Sequence, residues 1–134
     1  MRDYRKDEAL RWLAQAEEEF NDAKLLKEMR RFYLSLFLCQ QSAEKALKAY
    51  IYTFEGEPFF THSVSVLLKI ATELDPEFSA LKDAKRLDDY YIPTHYPNSL
   101  PGEIPARYYD DESEAEQALE LANNIIKLVK SKIL

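Results

Sequence analysis

The chain has 134 residues, the length of one ordinary domain, and 46% of them are hydrophobic against 31% charged. This balance excludes a disordered or fibrous protein, while the presence of only two glycines excludes a glycine-rich phosphate loop and disfavours an all-β fold. Eighteen basic against 24 acidic side chains give a formal charge of −6, which disfavours binding to duplex DNA.

The first half of the chain has the periodicity of helices. Apolar residues recur at steps of three and four over residues 7–30, and again over residues 32–54. The second of these predicted helices begins with FYLSLFLC, which is apolar nearly all round, so we expect it to lie at the centre of the fold. The glycine and proline of residues 55–61 predict a loop, and a short helix is predicted from about residue 63 to residue 74.

The second half contains two more predicted helices, separated by an irregular stretch. Asp75-Pro76-Glu77 is typical of a helix start, and Pro93 predicts that this helix ends near residue 91. Residues 93–109 contain four of the six prolines and predict a long loop. Ser113 and Glu116 have the spacing of a capping box, which predicts the start of the last helix.

These elements predict an all-α protein, an antiparallel four-helix up-and-down bundle with one additional short helix, in a single domain over residues 1–134. Cys39 lies in an apolar run and is expected to be a core thiol. Neither His62 nor His95 follows a glutamate by three residues, so we expect no metal site and no cofactor. The N-terminus has no signal-peptide pattern and no apolar run could span a bilayer, which predicts a cytoplasmic protein without membrane contact.

A block of polar residues, QQSAEKALK, interrupts the apolar second helix from residue 40 to residue 48. Glu44 and Lys48 are four residues apart, which is typical of a surface ion pair, and the two glutamines could instead bond neighbouring helices. Taken alone, the block favours such a structural role over a functional one.

Together with its surroundings, the block resembles the HEPN domain. The similar pieces are AEEEFNDA in the first helix, FLCQQSAEKALKAY in the second, Thr61-His62-Ser63, and YYIPTHYP at residues 90–97. The resemblance covers nearly the whole chain and implies a four- or five-helix bundle that is usually a homodimer. It also implies nucleotide binding, often beside a small nucleotidyltransferase partner in toxin–antitoxin systems.

Many proteins of that family are metal-independent ribonucleases, whose site combines an arginine, four to six intervening residues and a histidine. Here Arg86 and His95 are separated by eight residues, with Pro93 between them, so the spacing of that motif is not matched. A histidine can act as base or acid and an arginine can contact the scissile phosphate, so a ribonuclease using His95 and Arg86 is kept as an alternative function.

The leading prediction is therefore a dimeric HEPN-like bundle that binds a nucleotide or single-stranded RNA and acts with a nucleotidyltransferase. The expected binding residues are Lys45, Arg86, Tyr91 and Tyr96, which combine cations for phosphates with rings for stacking on bases. The tyrosines equally suit a subunit interface. A ligand-free helical interaction module is the second alternative.

Overall fold

The computed structural model describes residues 4–54 and 61–134, and every regular element within these ranges is helical. The all-α prediction is confirmed. Apart from Thr61, the predicted loop over residues 55–61 lies outside the described residues. Two segments are 3-10 helices: Pro76–Tyr90, named here the 3-10 segment, and the single turn Pro97–Ser99. The α-helices are α1 (Tyr4–Glu28), α2 (Phe32–Tyr52), α3 (Val64–Leu74), α4 (Pro105–Tyr108) and α5 (Glu112–Ile133).

Helix α2 is the centre of the bundle, as its apolar sequence predicts. It packs against α1, α3 and α5, and every one of its residues is buried or half-buried. Its side chains Leu36, Cys39 and Leu47 are fully buried in the core. The reason is that a helix which is hydrophobic around most of its circumference gains by being covered on all sides.

A tight turn joins α1 to α2 and brings the two helices together. The Arg31 amide donates to the Leu26 carbonyl at 2.8 Å, and the Arg30 amide donates to the Lys27 carbonyl at 2.9 Å. This is the Schellman pattern, which requires a left-handed residue, and Arg30 has a φ of 59°. The turn therefore ends α1 at Glu28, two residues before the end predicted from periodicity.

The segment after α3 was predicted as an α-helix, and this prediction is wrong in helix type. The structure has a long 3-10 helix with a kink at Leu81, where φ is −104° and ψ is 15°. A 3-10 helix has three residues per turn, so side chains three apart lie on one side. That spacing is present in the sequence, because the buried side chains occur at steps of three or multiples of three: Phe78, Ala84, Leu87 and Tyr90.

Side-chain caps begin the helices on both sides of the loop over residues 93–109. Asp75 accepts from the Glu77 amide at 3.0 Å and starts the 3-10 segment, as predicted. The predicted capping box at Ser113 is wrong, because α5 begins at Glu112 and the cap is Asp111, which accepts from the Ser113 amide at 2.9 Å.

Within residues 4–54 and 61–134, no helix has both the length and the apolar character needed to cross a membrane.

Candidate functional site

Three polar side chains lie inside the bundle along one side of α2. Gln40, Glu44 and Lys48 follow one another at steps of four, and each is at most 3% exposed. The Lys48 Nζ lies 2.9 Å from the Glu44 Oε2. The predicted pairing of these two charges is thus present, but the surface location considered for it is wrong. Because burying charges is costly, their position needs an explanation beyond stability.

The buried glutamate also holds His62, which immediately precedes the cap of α3. The His62 Nδ1 lies 3.2 Å from the same Glu44 Oε2 that contacts Lys48. The Gln40 amide nitrogen donates to the His62 backbone carbonyl at 2.8 Å. The ring nevertheless keeps 59% of its side-chain surface exposed. A carboxylate that fixes an accessible imidazole in this way is suited to orienting it for proton transfer or ligand contact.

Asp88, in the 3-10 segment, binds the start of α3. His62 and the first residues of α3 are together named here the junction. Its carboxylate accepts from the Val64 amide at 2.7 Å, and from the Ser65 amide and the Ser63 hydroxyl at 2.9 Å each. The Gln40 side chain also approaches it, at 3.4 Å. Asp88 therefore fixes the start of α3 and, through it, the place of His62. Sequence reasoning missed this role, since Asp88 is far from Ser63 in the chain.

A row of rings in contact, named here the aromatic row, extends from His62 across the end of the 3-10 segment; its first two contacts are stacked and its last two are tilted. Its members in order are His62, Tyr91, Phe37, His95 and Tyr96. Successive ring centres are 5.4, 6.3, 3.7 and 6.2 Å apart. The two histidines and Tyr96 are exposed, while Phe37 and Tyr91 are half-buried between them. Phe37 and His62 are members that sequence reasoning did not assign to the site, although both belong to the motifs that resemble the HEPN domain.

The structure brings together three of the predicted site residues, Tyr91, His95 and Tyr96. Lys45 lies at the opposite end of the polar network, where its Nζ is 3.0 Å from Glu19 Oε1 and 3.1 Å from Gln41 Oε1. Gln41 in turn donates to Gln40 at 2.8 Å and to Glu44 at 3.4 Å. Hydrogen bonds thus connect Lys45 with the glutamate that holds His62.

Arg86 stands apart from this group. Within the described ranges, no hydrogen bond, ion pair or ring contact joins Arg86 to His95. The reason is the 3-10 periodicity, which places Arg86 in an exposed row with Asp83 and Asp89, separate from the buried row that ends at Tyr90. The structure therefore offers no direct contact that would make Arg86 and His95 one catalytic pair.

Burial controls the ionisable groups next to the site. Burial raises the pKa of Cys39 to about 12, so this fully buried thiol is inert, as expected for a core residue. Burial, followed by a 2.8 Å hydrogen bond to Glu114, also raises the pKa of Tyr90.

Among residues 4–54 and 61–134, no three His, Cys, Asp or Glu side chains converge in a way that could hold a metal ion.

Comparison with known proteins decides the family. The sequence model of the family described as "HEPN domain" matches residues 9–132 of this chain. The chain belongs to the HEPN family. A Methanocaldococcus jannaschii protein named "Putative toxin MJ1304" is 29% identical over 129 residues, which cover 89% of this HEPN chain and 84% of that protein.

Two solved structures share the HEPN fold of this chain. A crystal structure of TT1696 from Thermus thermophilus has 37% sequence identity to this chain and a TM-score of 0.83. The match covers 92% of this chain and 97% of the TT1696 chain. ST0689, described as an archaeal HEPN homologue, has 31% identity and a TM-score of 0.75, covering 94% and 98%. The helical bundle and the family predicted from sequence are thereby confirmed.

Proposed function

We propose that this HEPN protein binds a nucleotide or single-stranded RNA on the aromatic row, as a homodimer that acts with a small nucleotidyltransferase in a toxin–antitoxin pair. The observation that carries the proposal is the row itself, in which the exposed rings of His62, His95 and Tyr96 are connected through contacts with Tyr91 and Phe37. Bases stack on such rings whatever their sequence, with about 1–3 kcal/mol per base.

The polar network beneath the row supports a binding role. Glu44 and Asp88 hold His62 and the start of α3 from two different elements, so the ligand side of the row is positioned before any ligand arrives. Preorganisation of this kind lowers the entropy that binding costs. The toxin–antitoxin part of the proposal is supported by the similarity to the Methanocaldococcus jannaschii protein named a putative toxin.

A metal-independent ribonuclease is the second candidate, and one observation favours it. The row contains two exposed histidines, His62 and His95, and one of them is oriented by a carboxylate. RNA cleavage needs a base that takes the 2′-hydroxyl proton and an acid that protonates the 5′-oxygen as the phosphorus–oxygen bond breaks. Binding remains the first proposal because, within the described residues, Arg86, the expected phosphate contact, shares no hydrogen bond, ion pair or ring contact with His95.

Binding is tested with fluorescent AMP and a short single-stranded RNA. We expect Tyr91→Ala and Tyr96→Ala to weaken binding of both probes by about tenfold, because each removes a stacking surface. Tyr4→Ala is the matched control, since Tyr4 is 76% exposed and does not belong to the row. Equal affinities in all these variants and the wild type would contradict the aromatic row as the binding surface.

The cations predicted from sequence are tested in the same assay. Arg86→Ala combined with Lys45→Ala is expected to weaken nucleotide binding, with an effect that shrinks at high salt, as phosphate contacts require. Arg11→Ala is the control, because the Arg11 side chain is 79% exposed and pairs with Glu8.

Cleavage of single-stranded RNA in the presence of a chelator separates enzyme from binder. We expect no cleavage by the wild type. If the protein cleaves RNA and His95→Ala slows cleavage about a hundredfold while RNA affinity stays unchanged, the ribonuclease function replaces nucleotide or RNA binding as the proposed function.

A further inference from the structure

A groove between α3 and the 3-10 segment lies outside the aromatic row and has a volume of about 370 Å³. Leu68 from α3 is part of its apolar lining. Three lysines lie along it, Lys69 from α3 and Lys82 and Lys85 from the 3-10 segment, against one acid, Glu73. A groove with this excess of cations is unexpected on a chain whose formal charge is −6.

The three groove lysines differ from the five lysines of the described residues that form ion pairs with carboxylates. Within residues 4–54 and 61–134, Lys69, Lys82 and Lys85 make no ion pair and no side-chain hydrogen bond. Other lysines do pair with carboxylates at 4 Å or less: Lys27, Lys45, Lys48, Lys130 and Lys132. Neighbouring like charges repel one another, so an anion in the groove would relieve a repulsion that no internal carboxylate relieves.

The 3-10 geometry arranges these cations in a line. Lys82 and Lys85 are three residues apart, so they lie on the same side of the segment, about 6 Å apart along its axis. The next residue in this row is Asp88, which binds the Ser65 amide at the start of α3. Ser65 also lines the groove. The line of lysines therefore leads to the junction that holds His62 of the aromatic row.

We propose that the groove holds the sugar–phosphate backbone of a single-stranded RNA whose bases stack on the aromatic row. The lysines contact successive phosphates, the hydroxyls of Ser65 and Ser79 offer hydrogen bonds, and the apolar lining packs against the sugars. The groove is continuous with the aromatic row, which favours RNA over an acidic peptide, because a peptide has no bases to stack on the row. The inference rests on the proposed function and adds the path of the chain to it.

The test compares a ten-nucleotide single-stranded RNA, which is long enough to reach both surfaces, with AMP, which reaches only the row. Lys69→Gln, Lys82→Gln and Lys85→Gln are combined in one variant. The charge-matched control combines three lysines outside the groove, changed to glutamine: Lys24, Lys127 and Lys130. Binding is measured by fluorescence anisotropy at several salt concentrations, and far-ultraviolet circular dichroism checks that each variant is folded.

The groove variant is expected to lose about tenfold or more in affinity for the RNA, and its slope of log affinity against log salt to decrease by about 2. Its affinity for AMP should equal that of the wild type, and the control variant should keep the RNA affinity. If the triple variant does not fold, Lys85→Gln alone should lower the slope by about 0.7.

Three outcomes overturn the inference, and they are distinguishable. If Tyr91→Ala weakens RNA binding but the groove variant does not, the groove is wrong and the aromatic row stands. If the wild type binds neither RNA nor AMP, the proposed function fails and the inference fails with it. If RNA affinity is equal in the wild type and the groove variant, but fluorescent poly-glutamate binds the wild type and not the groove variant, the groove binds acidic protein segments instead.

Discussion

At the scale of single residues, the most informative side chain is Glu44, a carboxylate buried beside the ammonium of Lys48. Taking two charges out of water costs several kcal/mol for each ion, so a buried pair is weak evidence of stabilisation. The same Glu44 oxygen holds His62, whose ring remains accessible. Through this contact, the buried pair fixes the position of an imidazole at the surface.

The cost of breaking the buried pair can be measured in urea. Glu44→Leu leaves the Lys48 charge in the core without this carboxylate, so we expect a loss of about 3–5 kcal/mol in the free energy of unfolding. The double variant Glu44→Leu, Lys48→Met should recover most of that loss while losing the tether of His62. Glu17→Ala, in a half-exposed pair with Lys130, should cost no more than about 1 kcal/mol. Equal losses for Glu44→Leu and Glu17→Ala would show that the Glu44 pair is not buried.

Buried tyrosines make the fold sensitive to alkali. Burial, followed by the charge of Glu114, raises the pKa of Tyr109 to about 12, above the value near 10 that an unfolded chain has. The unfolded state therefore ionises first, so this contribution to stability is complete below about pH 10 and is lost as the pH rises towards 12. Tyr109→Phe should lose less stability over this range than the wild type in urea titrations. Parallel curves for the two proteins would contradict the prediction.

At the scale of elements, α3 is held in place by a side chain of another element. The start of a helix leaves backbone amides without partners, and Asp88 accepts from two of them, those of Val64 and Ser65. Ser63 caps the same helix through its own hydroxyl, which accepts from Val66 and donates to Asp88. The 3-10 segment and α3 therefore form one unit, and both the groove and His62 depend on it.

Removal of this carboxylate tests the unit directly. We expect Asp88→Ala to lower the free energy of unfolding by about 1–3 kcal/mol, because buried or half-buried amides lose a charged acceptor. Hydrogen exchange at Val64 and Ser65 should accelerate more than exchange in α5. Asp83→Ala, an exposed aspartate in the same segment, is the control and should change stability by less than about 0.5 kcal/mol. Equal effects of the two variants would mean that Asp88 does not stabilise α3.

At the scale of the whole molecule, the sequence predicts that a second protomer contacts part of α2 or the tyrosine-rich loop over residues 93–109. Helix α2 is covered within one chain by α1, α3 and α5. Exposed apolar side chains outside the aromatic row are found in and beside the loop over residues 93–109: Ile92, Ile104 and Tyr108. Large exposed apolar side chains in one region are typical of an interface.

We therefore predict a homodimer through this loop. Light scattering at tens of micromolar should give twice the mass of one chain, and the interface should bury at least about 1,000 Å². Ile104→Asp combined with Tyr108→Asp should give a monomer, because two charges would be buried without partners. Leu25→Asp, at an exposed apolar position of α1, is the control and should remain a dimer. A monomeric wild type would contradict the prediction.

The sequence by itself determined the properties that depend on neighbours a few residues apart. Periodicity sufficed for the helical class and for the central place of α2, and the block at residues 40–48 together with the similar pieces around it sufficed for the family. It also contained the three-residue spacing of the 3-10 segment, although the start signal at Asp75 was interpreted as the beginning of an α-helix.

Only the tertiary structure decided which distant residues meet. Glu44 and His62, Ser63 and Asp88, and Phe37 and His95 are each joined by packing between elements rather than by sequence spacing. The pattern along one helix shows which side is buried, but not which neighbour covers it or where a loop residue comes to rest. For that reason a pair that looked like a surface contact lies in the core, and the alternative catalytic pair, Arg86 and His95, shares no hydrogen bond, ion pair or ring contact within the described residues.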